Sequence, residues 1–303
     1  MTGWLRRRAL SLYERLLERE LGGAPSHVAV IQDGNRRYAE SRGKEKTEGH
    51  RAGAETTEAM LRWCRDLGVE ELTLYAFSTE NFDRPEDERE ALFDLIESKL
   101  RGFADRDEVH ENGVRIRAIG EVERLPERVR DAVAYADRRT RGYDDLRLNV
   151  ALAYGGRAEL LNAARAAARD VAAGRLSPAD IDAAELDRRL ASRPTRDVDL
   201  IIRTGGDERT SNFLPWHANG NEAAVFFCTP YWPEFRRVDF LRAIRTYEAR
   251  EESWRRTRAR RALALVSSFR GTDLPEARRV LDRLRGSLSE EELAEAGVEG
   301  AAD

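Results

Sequence analysis

Four short segments of this chain gather the residue types that handle phosphate. They are Gln32-Asp33-Gly34-Asn35-Arg36-Arg37-Tyr38, Ser78-Thr79-Glu80-Asn81-Phe82-Asp83-Arg84-Pro85, Tyr154-Gly155-Gly156-Arg157, and Arg203-Thr204-Gly205-Gly206-Asp207-Glu208-Arg209-Thr210-Ser211-Asn212. Glycine at a strand-to-helix turn lets backbone N–H groups approach an anion, and the helix N-terminus adds a positive dipole. Guanidinium forks match phosphate oxygens in bidentate geometry. The simplest ligand is a phosphate or diphosphate, and the spread of segments implies more than one. Asp33 among these arginines would repel an anion unless a hard cation stood between them. Mg²⁺ held by one or two carboxylates and by substrate phosphates meets that need. Taken singly, each feature has a plainer reading. Asp33-Gly34-Asn35 reads as a turn, Thr204-Gly205-Gly206 as a capping loop, His50 as a capping or surface histidine, and Lys44 and Lys46 as loop charges.

The elements that must position these segments are legible as alternating patterns. Short β-branched or apolar runs occur at 28–31, 72–77, 114–120, 146–154, 198–204 and 223–229. Between them lie stretches of helical period, such as Ala91, Leu92, Leu95, Ile96, Leu100 and Phe103. The pattern predicts an α/β fold, with a central, largely parallel six-stranded sheet surrounded by helices. Four of the strands empty into the polar segments, where ligands sit in open α/β sheets. An amphipathic helix is expected over 1–24, carrying Leu5, Leu12, Leu16 and Leu17 along one side. The main domain spans 25–250, and a helical extension with an acidic tail occupies 251–303.

Composition narrows the function classes. The chain has 303 residues, 41% apolar and 36% charged, with a net charge of −4. That balance suits a globular protein and argues against general nucleic-acid binding, despite Arg6-Arg7-Arg8 and the arginine run at 255–261. No apolar run has the length of a membrane span, and the N-terminus lacks the apolar core of a secretory leader. Cys64 and Cys228 are too few for a disulfide framework or a four-ligand zinc site, so a cytoplasmic protein is expected. The sequence lacks zinc spacing, a GxSxG elbow, a GxxxxGK[ST] loop and aspartate-rich DDxxD pairs. Residue types and spacing alone lead to an α/β diphosphate-handling protein.

Taken together, HVAVIQDGNRRYA, the GHRAG at 49–53, FSTENFDRP at 77–85, YGGR at 154–157 and DLIIRTGGDERTSNFLPW at 199–216 resemble the five motif regions of the cis-prenyltransferases. This is the undecaprenyl/dehydrodolichyl diphosphate synthase family. The similarity spans roughly 25–250, and DGNRRYA with the leading helix leans toward its archaeal and eukaryotic branch. The resemblance implies repeated addition of isopentenyl diphosphate to an allylic diphosphate primer, geranylgeranyl or farnesyl diphosphate, each new double bond being cis. The product would be a long polycis-polyprenyl diphosphate, such as the undecaprenyl diphosphate that becomes a glycosyl carrier lipid. By the same resemblance Asp33 would place Mg²⁺, while Gly34, Asn35, Arg36, Arg37 and Tyr38 would cradle the primer with Lys46 and His50 near its phosphates. Ser78, Thr79, Glu80, Phe82 and Arg84 would shape the reacting cleft. Asn81 stands where the family's proton removal is sometimes assigned, although a neutral amide is a poor base and orientation suits it better. Arg203, Arg209, Thr210 and Ser211 would hold isopentenyl diphosphate, and Glu222 would be a second metal ligand. Relatives usually place an aromatic shortly before that glutamate, whereas this chain reads WHANGNEAAVFF.

The resemblance also implies a homodimer and an apolar tunnel for the growing chain, walled partly by the helix after Arg84-Pro85. The leading helix suggests peripheral contact at the inner face of the cell membrane, packing on the catalytic domain being its plainer role. The rival readings are a non-catalytic partner subunit, an RNA-binding protein using its arginine runs, and a phosphatase. The presence of Asp33, Asn81, Arg203, Arg209 and Ser211 disfavours the first. The lack of aromatics within the arginine runs disfavours the second.

Overall fold

In the computed structural model the described residues are 3–190, 196–218 and 223–268. They fall in two compact units, 1–247 and 248–303, the second described only for helix ending at Ser268. The strands are β1 (His27–Ile31), β2 (Glu71–Ser78), β3 (Val114–Ile119), β4 (Leu146–Tyr154), β5 (Leu200–Arg203) and β6 (Ala224–Phe227). They form one sheet in the order β3-β4-β2-β1-β5-β6, and every pair is parallel. The helices among the described residues are α1 (Gly3–Glu20), α2 (Asn35–Ser41), α3 (Lys46–Asp66), α4 (Glu86–Ala104), α5 (Asp107–Glu111), α6 (Glu127–Thr140), α7 (Gly156–Ala172), α8 (Ala183–Arg189) and α9 (Arg237–Ser268).

All five residues of β1 are buried. Such a run must be covered on both faces, so it belongs at the centre of a parallel sheet. Side chains alternate across a strand. Val28 and Val30 accordingly join the core that includes α3, α4 and α6, while Ala29 and Ile31 join the opposite core with Phe213 and Leu214. At the sheet edge β3 alternates buried and half-buried residues, and Arg115 covers it by pairing with Asp137 at 2.7 Å.

The strand order locates the site. From β1 the chain builds β2, β3 and β4 to one side, then crosses to the other side for β5 and β6. The order therefore reverses between β1 and β5, where Ile31 and Arg203 are register partners. A crevice opens beyond the carboxyl ends of strands at such a switch point.

The leading helix corrects one expectation. Leu17 is buried against Val238 and Leu241, with Leu10 and Leu21 packed beside it. Leu12 and Leu16 instead are 56% and 48% exposed, next to a half-exposed Tyr13. A helix turns about 100° per residue, so Leu17 faces the core while Leu16, the next position round, faces outward. The stripe is two faces, one docked on the first turns of α9 through these leucines and a 2.9 Å Glu18–Arg237 ion pair. The acidic tail, the side chain of Leu5 and Glu222 lie outside the described residues.

Candidate active site

Asp33 follows β1 in the crevice, and its backbone is pinned from two directions. Thr204 Oγ1 donates to the Asp33 carbonyl at 2.7 Å, and the Trp232 N–H donates to the same carbonyl at 3.0 Å. Its carboxylate accepts from Arg37 Nη2 at 3.1 Å and from Arg203 Nη2 at 2.7 Å. Burial alone would raise the Asp33 carboxyl, but hydrogen bonds and charge from Arg203 and then Arg37 outweigh it and hold it below its ordinary value. Arg203, at the end of β5, is only 3% exposed. Its Nη1 donates to the Arg209 carbonyl and to Ser211 Oγ, each at 2.6 Å, and its Nη2 meets Asp207 at 3.2 Å. The Arg209 guanidinium is exposed and lies 3.1 Å from Asp207. Gly34 makes the turn into α2 at φ +98°, where a Cβ would come within 2.5 Å of the Tyr231 ring.

A second cluster centres on Glu88, in the first turns of α4. Its half-buried carboxylate meets Arg84 at 2.5 Å, Arg36 at 3.2 Å and Lys46 at 3.6 Å. Burial opposes its ionisation, but these three cations hold its carboxyl below the ordinary range. His50 on α3 lines the space between this cluster and the cleft. Burial first, then the charges of Arg84 and Arg36, lower its pKa to about 4, with Glu88 opposing. His50 is thus neutral near pH 7, and its Nε2 is buried without a hydrogen-bond partner. The glycines flanking it allow its helix to come close. A Cβ at Gly49 would lie 2.0 Å from the Asn35 carbonyl, and one at Gly53 would lie 2.3 Å from Asn35 Oδ1.

Between the clusters, Thr79–Asp83 forms one 3₁₀ turn closed by a capping box. Asn81 Oδ1 accepts the Ser78 N–H at 2.9 Å, so that oxygen is already engaged in the turn. Asn81, His50, Asn35 and Arg84 line the polar part of a cavity of about 210 Å³. Its apolar walls include Leu92, Leu95, Ile96, Leu100 and Phe103 of α4 and its end, with Leu74, Leu148 and Val150 from the sheet. Ala91 is not among them. It lines a separate groove with Lys46, His50, Glu88 and Leu95, which adjoins the cavity through His50, Leu92 and Leu95.

Not every expected residue converges here. Tyr38 lies under the Arg42 guanidinium at 4.3 Å and lines a shallow surface pocket. Phe82 packs edge-on against Phe77 at 5.1 Å, with Arg124 over its ring. Glu80 and Thr210 are exposed. Thr79 sits beside Gly155 rather than beside Asp33. Sequence reading missed two members, Asp207 and Glu88. The available signal was spacing, since Asp207 stands four residues from Arg203 and Glu88 four from Arg84. The described residues hold no cluster of three carboxylate, histidine or cysteine groups able to enclose a metal. Among the described residues, Asp33 and Asp207 converge on one guanidinium and offer hard oxygen donors at the crevice, which suits a cation completed by phosphate oxygens.

An all-parallel sheet with the Asp33–Arg203 network at its switch point, a cation cluster on Glu88 of α4 and an apolar cavity marks a protein that handles an apolar diphosphate, and comparison with known proteins agrees. Residues 31–255 match the family described as "Putative undecaprenyl diphosphate synthase". The chain belongs to this family of prenyltransferases. It is 70% identical, over 280 residues and 92% of each chain, to the tritrans,polycis-undecaprenyl-diphosphate synthase (geranylgeranyl-diphosphate specific) of Halobacterium salinarum. It is 48% identical to the synthase of the same name from Methanocaldococcus jannaschii, over 80% of this chain and 87% of that one. Among solved structures, lavandulyl diphosphate synthase from Lavandula x intermedia in complex with dimethylallyl diphosphate matches with a TM-score of 0.70 and 35% identity, covering 74% of this chain and 95% of that one. A probable undecaprenyl diphosphate synthase from Campylobacter jejuni matches over the same shares with a TM-score of 0.60 and 30% identity.

Proposed function

We propose that this protein extends geranylgeranyl diphosphate with successive isopentenyl diphosphates to a tritrans,polycis-undecaprenyl diphosphate. The observation that carries this reading is the seating of Asp33 between Arg37 and Arg203 near an apolar cavity whose polar lining includes His50 and Asn81. Arg36, Lys46 and Arg84, gathered on Glu88, hold the primer diphosphate as its allylic C–O bond breaks. Their charge meets the negative charge that develops on the leaving group, a preorganised effect that can dominate a rate enhancement. Arg203, Ser211 and Arg209 hold the isopentenyl diphosphate so that its alkene faces the allylic carbon, which supplies proximity. Asp33, with Asp207 or Glu222, would hold Mg²⁺, whose chemistry is to neutralise diphosphate charge. The proton lost from each isopentenyl unit passes to the departing diphosphate or to neutral His50, whose basicity rises beside a bound anion. Asn81 orients substrate and does not act as the base.

The growing tail gains about 0.8 kcal/mol per buried CH₂. A cavity of about 210 Å³ is below the ~300 Å³ at which ligand pockets begin, so a long chain must part its walls or leave through the adjoining groove between α3 and α4. No described helix is long and apolar enough to cross a membrane. We read the chain as a cytoplasmic homodimer with peripheral membrane contact, for which the exposed Leu12, Tyr13 and Leu16 are available. Liposome flotation and light scattering, each with and without residues 1–22, separate lipid contact from self-association. The main test is incubation with labelled isopentenyl diphosphate and geranylgeranyl, farnesyl or dimethylallyl diphosphate, with sizing of dephosphorylated products. Undecaprenyl-length product, made best from the geranylgeranyl primer, is expected. Phosphate release from simple monoesters without chain growth would overturn the reading.

A further inference from the structure

Helix α7 begins at Gly156 with Gly155 as its N-cap, a residue with no side chain to offer the first-turn N–H groups. Helix starts leave such donors without intrahelical partners. Here Asn212 supplies the acceptors from 55 residues beyond Arg157. Its carbonyl accepts the Gly156 N–H at 3.0 Å, and its Oδ1 accepts the Arg157 N–H at 2.9 Å. The Tyr154-Gly155-Gly156-Arg157 segment, which reads in sequence as a phosphate loop, is therefore a socket for another loop. Contact is close, since a Cβ on Gly156 would stand 2.1 Å from Pro215 Cδ.

The docked loop is unusual in its backbone. Ser211, Asn212 and Leu214 have φ of +48°, +60° and +51°, in the left-handed region. Asparagine adopts that region more readily than other residues with a Cβ, whereas serine and leucine need surroundings that over-determine them. Phe213 supplies one restraint, its ring stacked on Tyr75 at 4.4 Å and 9°. The bonds of Asn212 to α7 supply the other. Between these restraints and β5 lies the Arg203 Nη1 to Ser211 Oγ contact at 2.6 Å.

We propose that Asn212 is a positioning residue that caps α7 from a distance and thereby fixes Ser211 and Arg209 for the isopentenyl diphosphate. It touches no reacting atom. The inference rests on the assignment of these two residues to that substrate.

Asn212→Gly keeps the left-handed backbone but loses the Oδ1 acceptor, whereas Asn212→Asp keeps an acceptor and places a favourable charge at a helix N-terminus. In steady-state kinetics the glycine variant should raise KM for isopentenyl diphosphate about three- to tenfold, as loss of a cap implies. Its kcat and primer KM should stay within about twofold, and its Arg157 amide should exchange hydrogen faster. The aspartate variant should restore both readouts. If the glycine chain does not fold, Arg157→Pro removes the same N–H within a helix first turn, where proline is tolerated, and is judged by the two KM values alone, since it leaves no amide at 157 to exchange. An unchanged KM for isopentenyl diphosphate, or equal rises for both substrates, would overturn the positioning role. Arg209→Ala serves as control for the underlying assignment. If it leaves that KM unmoved, the substrate assignment fails instead.

Discussion

The two charged clusters of the cleft use the same ingredients in opposite arrangements. At the switch point the cation is buried and the anion accessible, Arg203 having a side chain 3% exposed and Asp33 one 28% exposed. Beside α4 the anion is the least exposed member, the Glu88 side chain being 9% exposed against 25% for Arg84 and about half for Arg36 and Lys46. A buried ion that loses its partner is costly, whereas an exposed one is re-solvated. Arg203 is consequently a fixed point, and Asp33 is the member able to turn toward a metal. Glu88 is likewise fixed, and its cations are the members able to turn toward a phosphate. One cluster is built to present a carboxylate and the other to present positive charge.

This contrast fails if Asp33 is merely a counter-ion. Asp33→Ala should lower turnover by about 10³-fold with Mg²⁺ present, measured by isopentenyl diphosphate incorporation, and the thermal transition should show a folded chain. EDTA should abolish wild-type activity, and added Mg²⁺ should restore it. Near-normal turnover in the variant would remove Asp33 from the site.

Arg203→Ala and Arg36→Ala test buried against exposed cations. Arg203→Ala should raise KM for isopentenyl diphosphate by about 10²-fold and lower the melting temperature, because a buried charge network is broken. Arg36→Ala should act on the primer KM by only a few fold and leave the melting temperature unchanged, as exposed pairs contribute ~0–1 kcal/mol. Equal effects of both on both substrates would erase the distinction. Glu88→Gln removes the hub and keeps its shape, and should raise the primer KM about tenfold while sparing that of isopentenyl diphosphate.

His50 carries a pH signature of the second cluster. Its folded pKa of about 4 lies below the ordinary 6.5, so the unfolded chain takes up a proton in that window and the folded chain does not. Stability should therefore fall as pH drops from about 6.5 to 4. Denaturant midpoints across that range should have a shallower slope in His50→Gln, with a residue of slope left by buried His27, whose pKa burial also lowers. An unchanged slope would show that His50 is not desolvated. The smallest effect on rate should come from the tunnel. Leu95→Trp should shorten the products sized by reversed-phase chromatography while sparing the first condensation, and Ala91→Trp, placed in the outer groove, should shorten them only if the chain leaves by that groove and give full-length product if it parts the cavity walls.

Much of this arrangement was written locally. The run at 28–31 is apolar on both faces, as a central parallel strand requires, and the carboxyl end of such a strand delivers Asp33 to a ligand crevice. The glycines at 34, 49 and 53 mark places where backbone bends or helices touch, and the polar segments mark the strand ends. Leu12, Leu16 and Leu17 were misjudged together because composition of a stripe does not reveal which neighbour covers it. Pairings across the sheet were not legible at all. Arg203 reaches Asp33 only because β5 returns beside β1, Glu88 collects cations from α2, α3 and the turn before α4, and Asn212 caps a helix that begins far upstream. Sequence by itself determined which residues stand at strand ends, since period and turn chemistry act over a few positions. Tertiary structure alone decided which of them are partners, because burial and charge pairing depend on strand order, and strand order is a long-range property that no local pattern encodes.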